Sequence, residues 1–150
     1  MTTAHTTAHP VALPARVVAG IAGGLAGGAV FGILMHVWDM MPMVAMLVDS
    51  ESVAVGWLIH LFNSALFGAI FAVLFGRWAT NLLSAIAVGL AYGVLWWVLG
   101  ALLIMPAWLG MNDMIFEVNT AAVRSLIGHL AYGLLLGLVY VAVRSRMRRG

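Results

Sequence analysis

The chain has 150 residues, of which 64% are hydrophobic and 8% charged, with a mean hydropathy of +1.08. A soluble domain of this size cannot hide that much apolar surface, so the composition specifies an integral membrane protein. With no cysteine, disulfides, iron–sulfur clusters and thiolate metal sites are excluded. Lysine is also absent, and the positive balance rests on seven arginines, a pattern of membrane orientation rather than nucleic-acid binding.

Residues 1–15, MTTAHTTAHPVALPA, are polar, carry two prolines and lack apolar periodicity, which predicts a disordered tail. Four apolar runs follow at 16–38, 53–75, 82–105 and 121–143. Each is long enough to cross about 30 Å of hydrocarbon at ~1.5 Å per residue, and residues 144–150 form a basic tail. The expected fold class is therefore all-α, a polytopic protein with four transmembrane helices. The first run is read as an anchor rather than a cleaved signal, because it is long, has a single preceding arginine and has a partner later in the chain.

Arg16, Arg77, Arg144, Arg146, Arg148 and Arg149 fall on one side of these spans, whereas Asp39, Asp49, Glu51, Asp113 and Glu117 fall on the other. By the positive-inside rule both termini are cytoplasmic, in a plasma membrane of bacterial type. Arg124 breaks the pattern. It is expected either to pair with an acid of the outer loops or to snorkel to a lipid headgroup.

The first and third spans are alike: GLAGGAVF from Gly24 aligns with GLAYGVLW from Gly89, and Met41–Pro42 then falls close to Met105–Pro106. IHLFNSALFGAIF in the second span aligns with GHLAYGLLLGLVY in the fourth, matching His60 with His129 and Gly68 with Gly137. Two parallel two-helix repeats are expected, related by an axis along the membrane normal. Small residues recur every fourth position: Gly20, Gly24, Gly28 and Gly32 in the first span, Gly56, Ser64, Gly68 and Ala72 in the second. Residues at i and i+4 share a face, and such rows let helix backbones approach closely. The ridges suit an internal bundle, a homo-oligomer or packing within a larger membrane complex.

His60 and His129 lie at matching depth, about 10 to 12 Å in from the outer ends of their helices. Asn63 and Ser64 follow the first by about a turn, and Tyr132 follows the second. An intramembrane ionisable residue is costly and usually faces the bundle interior. These five residues, with Arg124 at the rim, make an outward-facing polar site. The histidines could bond across a helix seam, handle a proton or small substrate, or ligate a metal or haem, since two imidazoles at one depth suit bis-histidine ligation. A second candidate is MHVWDMMPMVAM, residues 35–46, in which His36, Met40, Met41, Met43 and Met46 offer imidazole and thioether groups that suit Cu(I). Methionine is equally a filler of apolar interfaces, and Trp38, Trp57 and Trp108 fit an interfacial belt. There is no Ser/His/Asp set, no intramembrane carboxylate pair, no phosphate loop and no nucleic-acid module, so the sequence supports no catalytic assignment.

Gly128–Gly137 reads G-H-L-x-Y-G-x-x-L-G and resembles the last helix of small, uncharacterised four-span bacterial membrane proteins. The resemblance covers that helix, and it implies a four-span fold without an activity. The expected function is that of an accessory or small transport-related membrane protein, needing no cofactor, with bis-histidine haem redox chemistry and copper handling as the alternatives.

Overall fold

A computed structural model describes residues 12–148, and these form an all-helical bundle in which no strand occurs among the described residues. The elements in chain order are α1 (Leu13–Val37), α2 (Met41–Ala45), α3 (Val53–Leu74), α4 (Leu82–Trp96), a π-helical segment (Trp97–Ile104), α5 (Met105–Trp108) and α6 (Thr120–Met147), with 3-10 turns at Met46–Val48 and Asn112–Met114. Four helical stretches, Leu13–Val37, Val53–Leu74, Leu82–Trp108 and Thr120–Met147, are long and apolar enough to cross a membrane. Their outer surfaces carry Leu58, Phe62, Leu83 and Ile33, all more than half exposed, which suits hydrocarbon and not water. The protein is a multi-pass integral membrane protein.

Two boundaries differ from the sequence expectation. α1 begins at Leu13 rather than 16, because Pro14 in its first turn has no N–H to lose and a φ already suited to a helix. α6 runs to Met147, so Arg144 and Arg146 belong to its last turn, where cations oppose the negative end of the helix dipole. The rest of the expected N-terminal tail, residues 1–11, and Arg149 lie outside the described residues. α4 starts from a capping box between Asn81 and Ser84, and Asn119 caps α6 through Ala122 N–H at 3.0 Å.

Around the bundle the helices run α3, α1, α6, α4. α1 packs tightly against α3 and α6, and α4 packs tightly against α6. Glycine explains the closeness. A Cβ on Gly20 or Gly24 would strike the backbone of Gly68 or Ser64 on α3, while one on Gly23 or Gly27 would meet the Leu136 or Tyr132 carbonyl of α6 at 2.7 and 2.6 Å. The two rows serve different neighbours, as their offset around the helix requires. On the far side, a Cβ on Gly89 or Gly93 would strike the α6 carbonyls of Gly133 or His129. These glycines are occupied by contacts within one chain.

α3 and α4 are different: their backbones stand apart and aromatic side chains bridge them. Tyr92 O–H donates to the Phe67 carbonyl at 2.7 Å, Phe67 and Trp96 rings lie 4.0 Å apart, and Phe71 meets Tyr92 edge-on. At the arginine end two guanidinium groups close α3. Arg16 donates to the Ala72 carbonyl at 2.6 Å, and Arg144 to those of Gly76 and Ala79, each at 3.2 Å. Carbonyls in the last turn of a helix have no partner within it, so Arg16 satisfies one at Ala72, Arg144 ties down the turn that follows α3, and both cations oppose the helix dipole.

Candidate functional site

Toward the acidic end the aromatic bridge between α3 and α4 gives way to a cavity of about 270 Å³. Its walls come from α1, α2, α3, the π-helical segment, the loop after α5, and α6. The π-helix contributes Gly100, Ala101 and Leu102. A wider helical turn of this kind displaces the wall from the line an α-helix would follow, and such turns concentrate at functional sites. Gly100 is unlike the seam glycines: the nearest atom to an added Cβ would be Trp96 Cε3, at 3.8 Å, so close helix approach does not explain it. Trp97 Nε1–H ties the segment to the Ala122 carbonyl at 2.9 Å, and Trp108 Nε1–H spans the two acidic-end loops to the Leu47 carbonyl at 3.2 Å.

His60 and His129 both line this cavity, along with Asn63, Ser64 and Tyr132. His60 Nε2–H donates to the Gly28 carbonyl of α1 at 2.9 Å. The imidazole reaches that carbonyl because α1 is clear of side chains there; a Cβ on Gly32 would meet the Trp57 ring and come within 3.2 Å of His60 Cδ2. His129 Nδ1–H donates within its own helix to the Ser125 carbonyl at 2.8 Å. A carbonyl can only accept, so these bonds fix the tautomers: a neutral His60 keeps its lone pair on Nδ1, and a neutral His129 on Nε2. Tyr132 O–H donates to the Ser64 carbonyl at 2.9 Å and Ser64 Oγ–H to the His60 carbonyl at 2.7 Å, joining α6 to α3. None of these bonds uses Asn63, whose carboxamide lines the cavity without a hydrogen-bond partner among the described residues.

Phe31 is the residue that sequence reasoning missed. Its ring packs edge-on against both imidazoles, 5.2 Å from His60 and 4.8 Å from His129, and sits over Gly128, where any side chain would collide with it. The signal was in the α1 row Gly23, Gly27, Phe31, Met35, which turns from small to bulky at the depth of the histidines. This geometry does not fit a haem held coaxially by both histidines. His60 Nε2 is engaged with α1, and Phe31 would have to leave its place beside the two rings.

Other predicted site residues are dispersed. Arg124 lies outside the cavity, exposed, with its guanidinium 5.9 Å from the Trp38 ring centroid; a cation–π contact holds it rather than an acid of the outer loops. The expected methionine–histidine group does not converge. Met40 and Met43 line the cavity, Met41 is buried against α3 near Gly56, Met46 borders a separate surface depression, and His36 Nδ1 accepts from Trp57 Nε1–H at 3.4 Å. Proline at the start of α2 and the short 3-10 turn after it rotate successive methionines to different faces. Met35, Met105, Met111 and Met114 join Met40 and Met43 on the cavity wall, so thioethers from both outer loops meet there. Among the described residues, no group of three or more His, Asp or Glu side chains is placed to hold a metal ion.

The rim is acidic. Glu117 is exposed at the cavity edge, held there by an unusual backbone: Phe116 adopts φ 59°, a left-handed conformation that a bulky side chain disfavours, with its N–H bonded to the Leu102 carbonyl of the π-segment at 2.9 Å. No family model, no curated protein and no solved structure matches this chain.

Proposed function

We propose that this protein handles a small ligand in the membrane, as an accessory or small transport-related protein, at the cavity bounded by His60, Asn63, Ser64, His129 and Tyr132. The observation that carries the reading is Asn63. A carboxamide in an apolar span is costly without a partner, and one with no hydrogen bond among the described residues, beside a cavity of about 270 Å³, is placed to meet a ligand. The volume supports a molecule of one or two rings, being larger than the ~150 Å³ apolar cavity that accepts benzene. The histidines serve this site by position: their fixed N–H bonds hold the α1, α3 and α6 backbones and leave lone pairs free.

The arginine end is read as cytoplasmic, so the cavity belongs to the outward half. A duplicated architecture fits the same reading. The α1–α3 contacts Gly20 with Gly68, Gly24 with Ser64 and Gly28 with His60 correspond, in the aligned register, to the α4–α6 contacts Ala85 with Gly137, Gly89 with Gly133 and Gly93 with His129. Where α1 presents Gly23 and Gly27 to α6, the aligned positions of α4 are Val88 and Tyr92. Tyr92 reaches to α3 and keeps the helices apart, so a broken symmetry accounts for the opening. The pattern shared with small bacterial four-span proteins is then a packing signature, since Gly128, Tyr132, Gly133, Leu136 and Gly137 all face neighbouring helices.

Native mass spectrometry of the protein extracted from its own membrane tests the reading, with Ala101→Phe as a variant whose cavity is filled. A small molecule retained by the wild type and absent from the folded variant is the expected result. Equal retention by both would refute it. Reporter fusions at the C-terminus test the orientation, and an outward C-terminus would move the cavity to the cytoplasmic half.

A further inference from the structure

We infer that the ligand of this cavity is a small apolar organic amine, bound as its ammonium with the charged end toward Glu117; this rests on the reading of the cavity as a binding site. The wall is apolar, and thioethers, aromatic rings and imidazoles recur along it. Six methionines line it, among them Met35, Met105 and Met114, and their thioethers are polarizable and carry lone pairs. Phe31, Phe67 and Trp96 contribute aromatic rings, whose faces attract cations. The two imidazoles, tied through their N–H groups to the carbonyls of Gly28 and Ser125, have only lone pairs left to offer.

Among the described residues, the one formally charged group on the wall is the Glu117 carboxylate. No arginine lines the cavity, and Arg124, the only arginine toward that end among the described residues, rests against Trp38. An anion would therefore enter an apolar space with a carboxylate at its rim and no counter-charge. A neutral hydrocarbon would leave the Asn63 carboxamide unpaired. An ammonium with an apolar body is complementary to both features: its body meets the methionine and aromatic walls, and its N–H groups can meet the Asn63 carboxamide oxygen, the imidazole lone pairs and the Glu117 carboxylate. A soft metal ion would use the same sulfur atoms, but it needs its ligands to converge on a point. An open volume of about 270 Å³ between them has room for an organic body instead.

The test uses three probes that share a naphthalene body and differ in charge: 1-naphthylmethylamine, 1-naphthalenemethanol and 1-naphthoate. Calorimetric titration of the full chain in phosphatidylcholine nanodiscs, which carry no net charge, measures each. The amine is expected to bind at one site about tenfold more tightly than the alcohol, the naphthoate not at all, and Glu117→Gln to remove the advantage of the amine. Ala101→Phe and Ala121→Phe, on the π-helical and α6 walls, are expected to abolish binding while retaining helical content and a monodisperse elution profile. If the alcohol or the naphthoate equals the amine, and the filled variants still abolish binding, the ammonium assignment is overturned and the cavity reading survives. Stoichiometric Ag(I) binding that displaces the amine overturns it in favour of a soft metal. If no probe binds, or binding persists in both filled variants, the cavity reading falls and this inference with it.

Discussion

Gly68 and Gly100 are both glycines in apolar helices, yet the same substitution should have opposite consequences at the two positions. In Gly68→Ala the new methyl group would land on the Gly20 carbonyl and within 2.9 Å of Gly24 Cα. Both obstacles are backbone, so relief requires α1 and α3 to separate along the whole seam. Overpacking of this kind costs about 1–3 kcal/mol, and with no flexible side chain available to yield, the upper part of that range applies. In Gly100→Ala the nearest atom is a ring carbon at 3.8 Å, an ordinary contact, and the gain in backbone order favours the variant by about 0.5–1 kcal/mol. The difference is about 2–4 kcal/mol. At roughly 2–4 °C per kcal/mol for a chain of this length, the two melting temperatures should differ by about 4–16 °C, measured by thermal unfolding in one detergent. Equal shifts, or a greater loss in Gly100→Ala, would refute the reasoning that seam contact and not glycine content holds the bundle together.

Asn63→Leu should raise the melting temperature of the ligand-free protein, by the equivalent of about 1 kcal/mol, because it removes a carboxamide that has no hydrogen bond among the described residues; a fall in melting temperature would show that Asn63 has a structural partner. Arg144→Ala removes two charge-assisted bonds, to Gly76 and Ala79, and should cost about 2–4 kcal/mol, with Arg144→Lys restoring only part because an ammonium lacks the guanidinium fork. Unfolding of the two variants side by side checks both the size and the order. Protein purified from haem-replete cells should show no haem absorption band. A band with stoichiometric iron, lost in His60→Leu or His129→Leu, would mean that Phe31 and the Gly28 bond yield to a macrocycle.

The sequence alone determined the four spans, the segregation of arginines from acids, the equal depth of His60 and His129, and the rows of small residues. Hydropathy, charge and i+4 spacing are local sums along the chain, and none depends on which helix stands beside which. The tertiary structure decided the partners. It assigned Gly20 and Gly24 to α3 but Gly23 and Gly27 to α6, and gave Arg16 and Arg144 the task of closing the end of α3. It separated Met41, Met46 and His36 from Met40 and Met43, and set methionines from the second outer loop beside the latter pair. The cavity itself was not legible. It depends on Tyr92 holding α4 away from α3, on Phe31 filling the space beside both histidines, and on a π-helical wall at Trp97–Ile104. Composition and periodicity record how a residue suits a helix in lipid; a void is defined by side chains of several helices failing to meet, which is a property of their packing.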